Sequence, residues 1–217
     1  FVFDGPNQPM PKPGREVKAA PLLLVQCFQD MLTAFGFSWH VAPGSADAEL
    51  AQLNLRGLVD VMVTDGEHVL LFGTVSVLRS KTSLPQAGMF EDMQIYTSDA
   101  IKHSVHLTQG GLVLMALMCS SDYNVGIPGC DVDVACQLAC YGFGDSLLQA
   151  ALMLPFLQFM EYIVNWCCNL CDALSTDPRG YQQQLHHGLT QVIQSELLQF
   201  PDLPAVALYA SPLTLWS

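Results

Sequence analysis

Two kinds of side chain in this sequence have the type and spacing for chemistry: acids beside a histidine at short turns, and paired cysteines. Asp4 follows the apolar run Phe1 to Phe3, Asp47 and Glu49 follow the turn Pro43-Gly44-Ser45, and Asp65, Gly66, Glu67 and His68 make a polar turn after Leu58 to Thr64. His68 offers an imidazole, which suits a transition metal such as Mn²⁺ or Zn²⁺. A solvent-facing or hydrogen-bonded histidine is the plainer expectation. Among eight cysteines, Cys136/Cys140 and Cys168/Cys171 have the thiolate count for one zinc ion. Nothing in the sequence brings these pairs together, and cysteine packs readily as a small hydrophobe. Reduced thiols in an intracellular protein are therefore expected. His103/His106 and His186/His187 lack carboxylate or cysteine partners at ligand spacing and read as surface residues. No nucleophile elbow or phosphate-cradling glycine loop occurs.

The elements that must position these groups follow from the hydrophobic pattern. The strand ending at Asp4 runs into a Pro/Gly-rich loop from Gly5 to Gly14, and Leu22 to Phe35 is an amphipathic helix that Gly36 ends. Phe37 to Ala42 reads as a strand. A helix from Ser45 to Arg56 follows, with Ser45 or Gly44 near its N-cap, Asp47 and Glu49 in its first turn, and Gly57 as its stop. Leu58 to Thr64 and Thr74 to Leu78 read as strands, Thr82 to Met93 as a surface loop and Thr97 to His103 as a short helix. Beyond Thr108 the pattern is helical, interrupted at Ser121 to Cys130, Tyr141 to Gly144 and Asp177 to Gly180. The tail from Phe200 to Ser217 reads as extended over the surface. Strands alternating with helices predict a mostly parallel α/β sheet, whose ligands bind beyond the strands' carboxyl ends. Asp4, the Pro43–Asp47 turn and Asp65–His68 all lie at such ends.

Composition narrows the function classes. The 217 residues are 51% hydrophobic and 13% charged, which excludes a disordered chain. The apolar stretches Gly110 to Cys119 and Leu147 to Met160 are too short or too broken for a membrane span, which wants about 20 apolar residues. No signal peptide or other localisation signal is visible. A net charge of −12 is the wrong sign for a nucleic-acid binder that relies on clustered Lys and Arg. Lys12, Arg15 and Lys18 form the one local basic cluster in the connection after Asp4.

Five segments in order resemble the flap endonuclease/XPG family of structure-specific nucleases. They are Phe1-Val2-Phe3-Asp4-Gly5-Pro6; Ala42 to Leu50; Val59 to Thr64 running into Leu71-Phe72-Gly73; Ser121-Asp122-Tyr123; and Gly126-Ile127-Pro128-Gly129-Cys130. Phe143 to Leu148 and Phe200 to Leu203 resemble the Holliday-junction-resolvase-like branch, particularly its PIN-domain-like members in mushroom-forming fungi. The resemblance implies a PIN-like three-layer α/β/α core over residues 1–119, a helix-hairpin-helix element at 120–145, and a C-terminal helical extension and tail at 146–217. It also implies that the family's first strand, with another metal acid, precedes Phe1. Branched or flap DNA would be the partner, in a nuclear setting.

The chemistry implied is two-metal phosphodiester hydrolysis, in which two divalent ions about 3.5–4 Å apart clamp the attacking and leaving oxygens. Mg²⁺ or Mn²⁺ would sit in a ring of carboxylates. Matched residue by residue, Asp4, Asp47 and Asp122 keep the catalytic, metal-holding acids, Asp47 being shorter than the usual Glu. Ser45, Gly66 and His68 stand where the family has acids. Glu49, Asp65, Glu67 and His68 are possible auxiliary ligands, although Asp65 and Glu67 sit one residue out of register, which turns an extended side chain to the other face. Gly126, Ile127, Pro128 and Gly129 keep the hairpin that offers backbone N–H groups to DNA phosphates. Asp131 and Asp133 replace Gly and Lys there and would repel them. Tyr123 is placed either to stack on a base or to pack in the core.

Three readings follow: a nuclease fold with weak or lost hydrolysis, an active Mg²⁺-dependent flap or Holliday-junction endonuclease in DNA repair, and a protein-interaction module. The last would use the apolar helices from Leu147 to Leu174 to dock a partner or a second copy.

Overall fold

The computed structural model describes residues 1–9, 21–80, 93–195 and 199–217. Lys12, Arg15 and Lys18, and most of the expected loop from Thr82 to Met93, lie outside the described residues. The fold is α/β with a PIN-like core. Its described strands fall into two small sheets. β1 (Val2–Phe3) pairs in parallel with β2 (His40–Val41), Val2 opposite His40 and Phe3 opposite Val41. β3 (Met62–Val63) pairs in parallel with β4 (Ser76–Ser80), which pairs antiparallel with β5 (Met93–Thr97).

Several boundaries differ from the sequence pattern. β5 is a strand that the pattern misses, although Met93-Gln94-Ile95-Tyr96-Thr97 has the branched and aromatic content of one. Val69 sits in a single 3-10 turn, His68–Leu70, between β3 and β4. The tail is not extended: α9 (Leu203–Ala210) is a helix, capped by the Asp202 side chain accepting from the Ala205 N–H at 3.0 Å. Its apolar face is buried, with Tyr209 only 1% exposed.

Helix α1 (Leu22–Ala34) ends where Gly36 takes φ +77°, and it buries only Leu32. Helix α2 (Ala46–Leu55) lies against both β1 and β3, so it joins the two sheets. What locks it is Asn54, buried at its last turn. The Asn54 Nδ2 donates to the carbonyls of Val59 (3.0 Å) and Asp60 (3.1 Å), and its Oδ1 accepts from Thr74 Oγ1 (2.9 Å), Val75 N (2.7 Å) and Ser76 N (3.0 Å). One amide thus ties the helix to the entries of β3 and β4.

After α3 (Ser98–Val105), the helices α4 (Gln109–Cys119), α5 (Val132–Ala139), α6 (Phe143–Met153), α7 (Phe156–Thr176) and α8 (His187–Ile193) build the main core with α2 and α9. Helices α4 and α6 meet at glycines: a Cβ on Gly144 would lie 1.8 Å from the Gly110 carbonyl oxygen. Leu114, Leu117, Leu147, Leu170, Leu174 and Tyr209 fill this core, each leucine contributing about 1.5–3 kcal/mol by burial. No helix among the described residues is long and apolar enough to cross a membrane.

Candidate functional site

Asp4 leaves the end of β1 and turns its carboxylate to the N-terminus of α2, where Oδ1 accepts from the Ala46 N–H at 2.8 Å. This is the anionic partner a helix N-terminus favours. Ser45 occupies the N-cap position, but its hydroxyl makes no capping bond; it hydrogen-bonds the Tyr123 hydroxyl instead. Asp47, one residue into α2, faces the turn after β3. There Gly66 lies so close that a Cβ on it would stand 2.8 Å from Asp47 Oδ2 and 3.0 Å from Oδ1. The Asp47 carboxylate therefore fills the space into which a side chain at 66 would project.

His68 and Asp122 complete the group. His68 Nδ1 stands 3.7 Å from Asp122 Oδ2, and its ring lies 5.3 Å from that of Tyr123. Burial raises the Asp47 carboxyl above its usual range, His68 opposes that shift, and the charges of Asp4 and Asp122 reinforce it. Asp4 and Asp122 thus each repel the Asp47 carboxylate. Tyr123 is pushed up to about 12 by burial and by Asp47, Asp122 and Asp4, with the Ser45 hydrogen bond opposing. An open cleft of about 670 Å³ runs past Gly66, His68, Ser121 and Asp122 to Arg79. Among the described residues, no three His, Cys, Asp or Glu side chains are grouped to hold a metal ion.

The possible auxiliary acids make contacts of their own, with Asp65 and Glu67 lining the same cleft as His68 and Asp122. Glu49 is 0% exposed, with Oε1 3.2 Å from His40 Nε2 and Oε2 accepting from the Leu215 N–H at 3.0 Å. It fastens β2 and the C-terminal residues to α2. Asp65 accepts from the Ser80 N–H through Oδ1 (3.4 Å), and its carbonyl accepts from Arg79 (2.8 Å). Glu67, with a side chain 82% exposed, reaches the same guanidinium at 3.5 Å. The one-residue offset turns both toward β4, while Gly66 and His68 face Asp47 and Asp122.

Between α4 and α5 the chain makes two tight glycine turns. Gly126 (φ +78°) and Gly129 (φ +82°) take left-handed turns, and a Cβ on Gly126 would be 2.4 Å from Ser120 N. Ile127 donates its N–H to the Met118 carbonyl at 2.7 Å. Asp131 caps α5, its Oδ1 accepting from the Val134 N–H at 2.9 Å, and Asp133 lies exposed in the first turn. Tyr123 packs between His68 and Tyr209 rather than standing free.

Sequence reasoning missed the support behind Asp122. Tyr209 of α9 donates to Ser121 Oγ at 3.2 Å, Ser121 Oγ bonds Asn124 Oδ1, and Asn124 Nδ2 donates to the Leu117 carbonyl at 2.8 Å. The sequence signal available was Tyr209 between apolar residues, which a tail expectation discounts. The cysteine pairs lie on separate helices: Cys140 Sγ donates to the Cys136 carbonyl along α5, while Cys168 and Cys171 lie on α7.

Residues 36–131 match the family model described as XPG I-region. The chain is 30% identical over 116 residues to DNA repair protein rad13 of Schizosaccharomyces pombe, covering 52% of this chain and 10% of that protein. It is 32% identical over 104 residues to flap endonuclease GEN of Drosophila melanogaster, covering 46% of this chain and 14% of that protein. Among solved structures, eukaryotic junction-resolving enzyme GEN-1 binding with cesium superposes with a TM-score of 0.78 at 30% identity, over 99% of this chain and 47% of that one. The chain thus spans less than half of each of these relatives. With the I-region match at residues 36–131 and a GEN-1-like fold over nearly its whole length, the chain is similar to the XPG family of flap and junction-resolving nucleases.

Proposed function

We propose that this chain is an XPG-family nuclease domain whose two-metal site is depleted, so that phosphodiester hydrolysis is weak or lost. The observation that carries this reading is the packing of the Asp47 carboxylate against Gly66, where the family resemblance expects a further acid. Ser45 and His68 stand at two more such positions. Asp47 feels the charges of Asp4 and Asp122, and His68 stands against Asp122. Hydrolysis through paired ions needs enough anionic oxygen to neutralise two dications, and this donor set falls short of a pair. We derive no catalytic step through metal ions from it. A single Mg²⁺ or Mn²⁺ is the most these groups would hold.

Branched or flap DNA is the ligand class this reading assigns, within the cell and by analogy with relatives named for DNA repair. The GEN1 structures include one in complex with product DNA and a Mg²⁺ ion. In this chain, Asp131 and Asp133 at the hairpin helix and the net charge of −12 weaken any phosphate grip. The test is incubation of the protein with labelled flap and four-way-junction DNA and Mg²⁺ or Mn²⁺, beside the Asp4→Ala/Asp122→Ala double variant. Product no greater than in the variant supports the depleted site; cleavage that the variant abolishes overturns it.

A second reading, an interaction module on a nuclease fold, draws support from the apolar elbow of α6 and α7. Met153, Phe156 and Leu157 are each more than 70% exposed there. Sedimentation of the protein alone tests its self-associating form.

A further inference from the structure

Eight cysteines are free, and one pair differs from the rest. Cys119 ends α4 and Cys130 follows the hairpin, and their thiols lie near enough for each to shift the other's acidity. Both thiols also approach one acceptor, the Asp131 carbonyl oxygen, at 3.5 Å from Cys119 and 3.6 Å from Cys130. Backbone bonds hold the two positions together independently. Ile127 N donates to the Met118 carbonyl at 2.7 Å, Ser121 N to the Asn124 carbonyl at 3.1 Å, and Cys130 N to the Ile127 carbonyl at 3.0 Å. Both residues are half-buried rather than sealed in the core.

We propose that Cys119 and Cys130 are a reversible dithiol/disulfide site that fastens the hairpin to the end of α4. The reagent class is a small-molecule disulfide of the glutathione type. Cys119 attacks one of its sulfurs as the thiolate, having lost its proton to solvent, which forms a mixed disulfide and expels one small thiolate. Cys130 then loses its proton and attacks the Cys119 sulfur, expelling the second small thiolate. Both thiolates take up the two protons released, so two protein thiols are oxidised and one small disulfide is reduced to two thiols.

The order of attack follows from the surroundings. The neighbouring Cys130 thiol lowers the Cys119 thiol below its usual range, while the same neighbour relation and burial hold Cys130 up. The bond closes the loop from 119 to 130, which carries Asp122, Tyr123 and the Gly126–Gly129 turn. Cys136 lies in α5 and Cys140 caps its C-terminal end, with the Cys140 thiol turned to a backbone carbonyl, and Cys171 is buried.

The full chain is treated with oxidised glutathione, and thiols are alkylated before and after for peptide mapping. A mass loss of about 2 Da located on the Cys119–Cys130 peptides, reversed by dithiothreitol, is the expected result. The melting temperature should rise by about 5–10 °C on oxidation, from closure of this loop. Cys119→Ser should abolish both changes. Alkylation of Cys119 and Cys130 at undiminished rates after treatment overturns the proposal, as does a disulfide mapping to another pair. The alkylation comparison uses the unsubstituted protein, so the outcome stands even where Cys119→Ser fails to fold.

Discussion

The hydroxyl of Tyr209 donates to Ser121 Oγ across 88 positions of sequence, bringing α9 against the turn that presents Asp122. The Tyr209 ring also packs on Phe72 and Tyr123, so residues near the C-terminus support the pocket from behind. Tyr209→Phe keeps those ring contacts and removes the hydrogen bond. It should cost about 1 kcal/mol, read as a fall in melting temperature of about 2–4 °C. Tyr209→Ala should cost about 3–5 kcal/mol, because it also empties a core site. Equal losses from the two variants would show that the hydroxyl alone matters.

Asn54 makes five hydrogen bonds from one buried amide. Asn54→Ala leaves the N–H groups of Val75 and Ser76 without this acceptor, at about 1–3 kcal/mol each. Urea unfolding should therefore show a loss of about 3 kcal/mol or more. A loss near zero would mean that β4 finds other partners.

Asp47 carries a raised carboxyl because burial and two neighbouring acids disfavour its charge. Its ionised form costs stability above the raised folded-state pKa, and that cost fades as pH falls through this value toward the ordinary 3.8. Asp47→Asn should raise the melting temperature at pH 7 by about 2–4 °C. The gain should shrink as the buffer is taken into the acid range. A gain independent of pH would place its origin outside the carboxyl charge.

Asp131 both caps α5 and places a negative charge where the hairpin would meet a phosphate. Asparagine keeps the capping oxygen and drops the charge. Asp131→Asn/Asp133→Asn should leave the melting temperature nearly unchanged. At low salt, it should tighten four-way-junction binding by about threefold to tenfold in a gel-shift titration, with a steeper salt dependence. Unchanged binding would remove the hairpin from contact with DNA.

Much of the architecture was legible in local chemistry. Gly36 and Gly57 ended their helices because only glycine takes their positive φ without strain, and the register from Thr64 to Gly73 put Gly66 and His68, rather than Asp65 and Glu67, toward the acids. The segment is not extended there, since Glu67 is helical in backbone and His68 opens a 3-10 turn. The facing is set by that turn rather than by strand alternation. Other features had no local signature. Asn54 reads as an ordinary polar residue near a helix end, Glu49 as an acid available to a metal, and Tyr209 as part of a tail. Their roles arise from groups distant in sequence: Thr74 to Ser76 for Asn54, His40 and Leu215 for Glu49, and Ser121 for Tyr209. A residue's type sets which bonds it can form, while tertiary packing decides which partner arrives. Asp47 against Gly66 depends on both, an identity written in the sequence and a contact made only when α2 closes over β3.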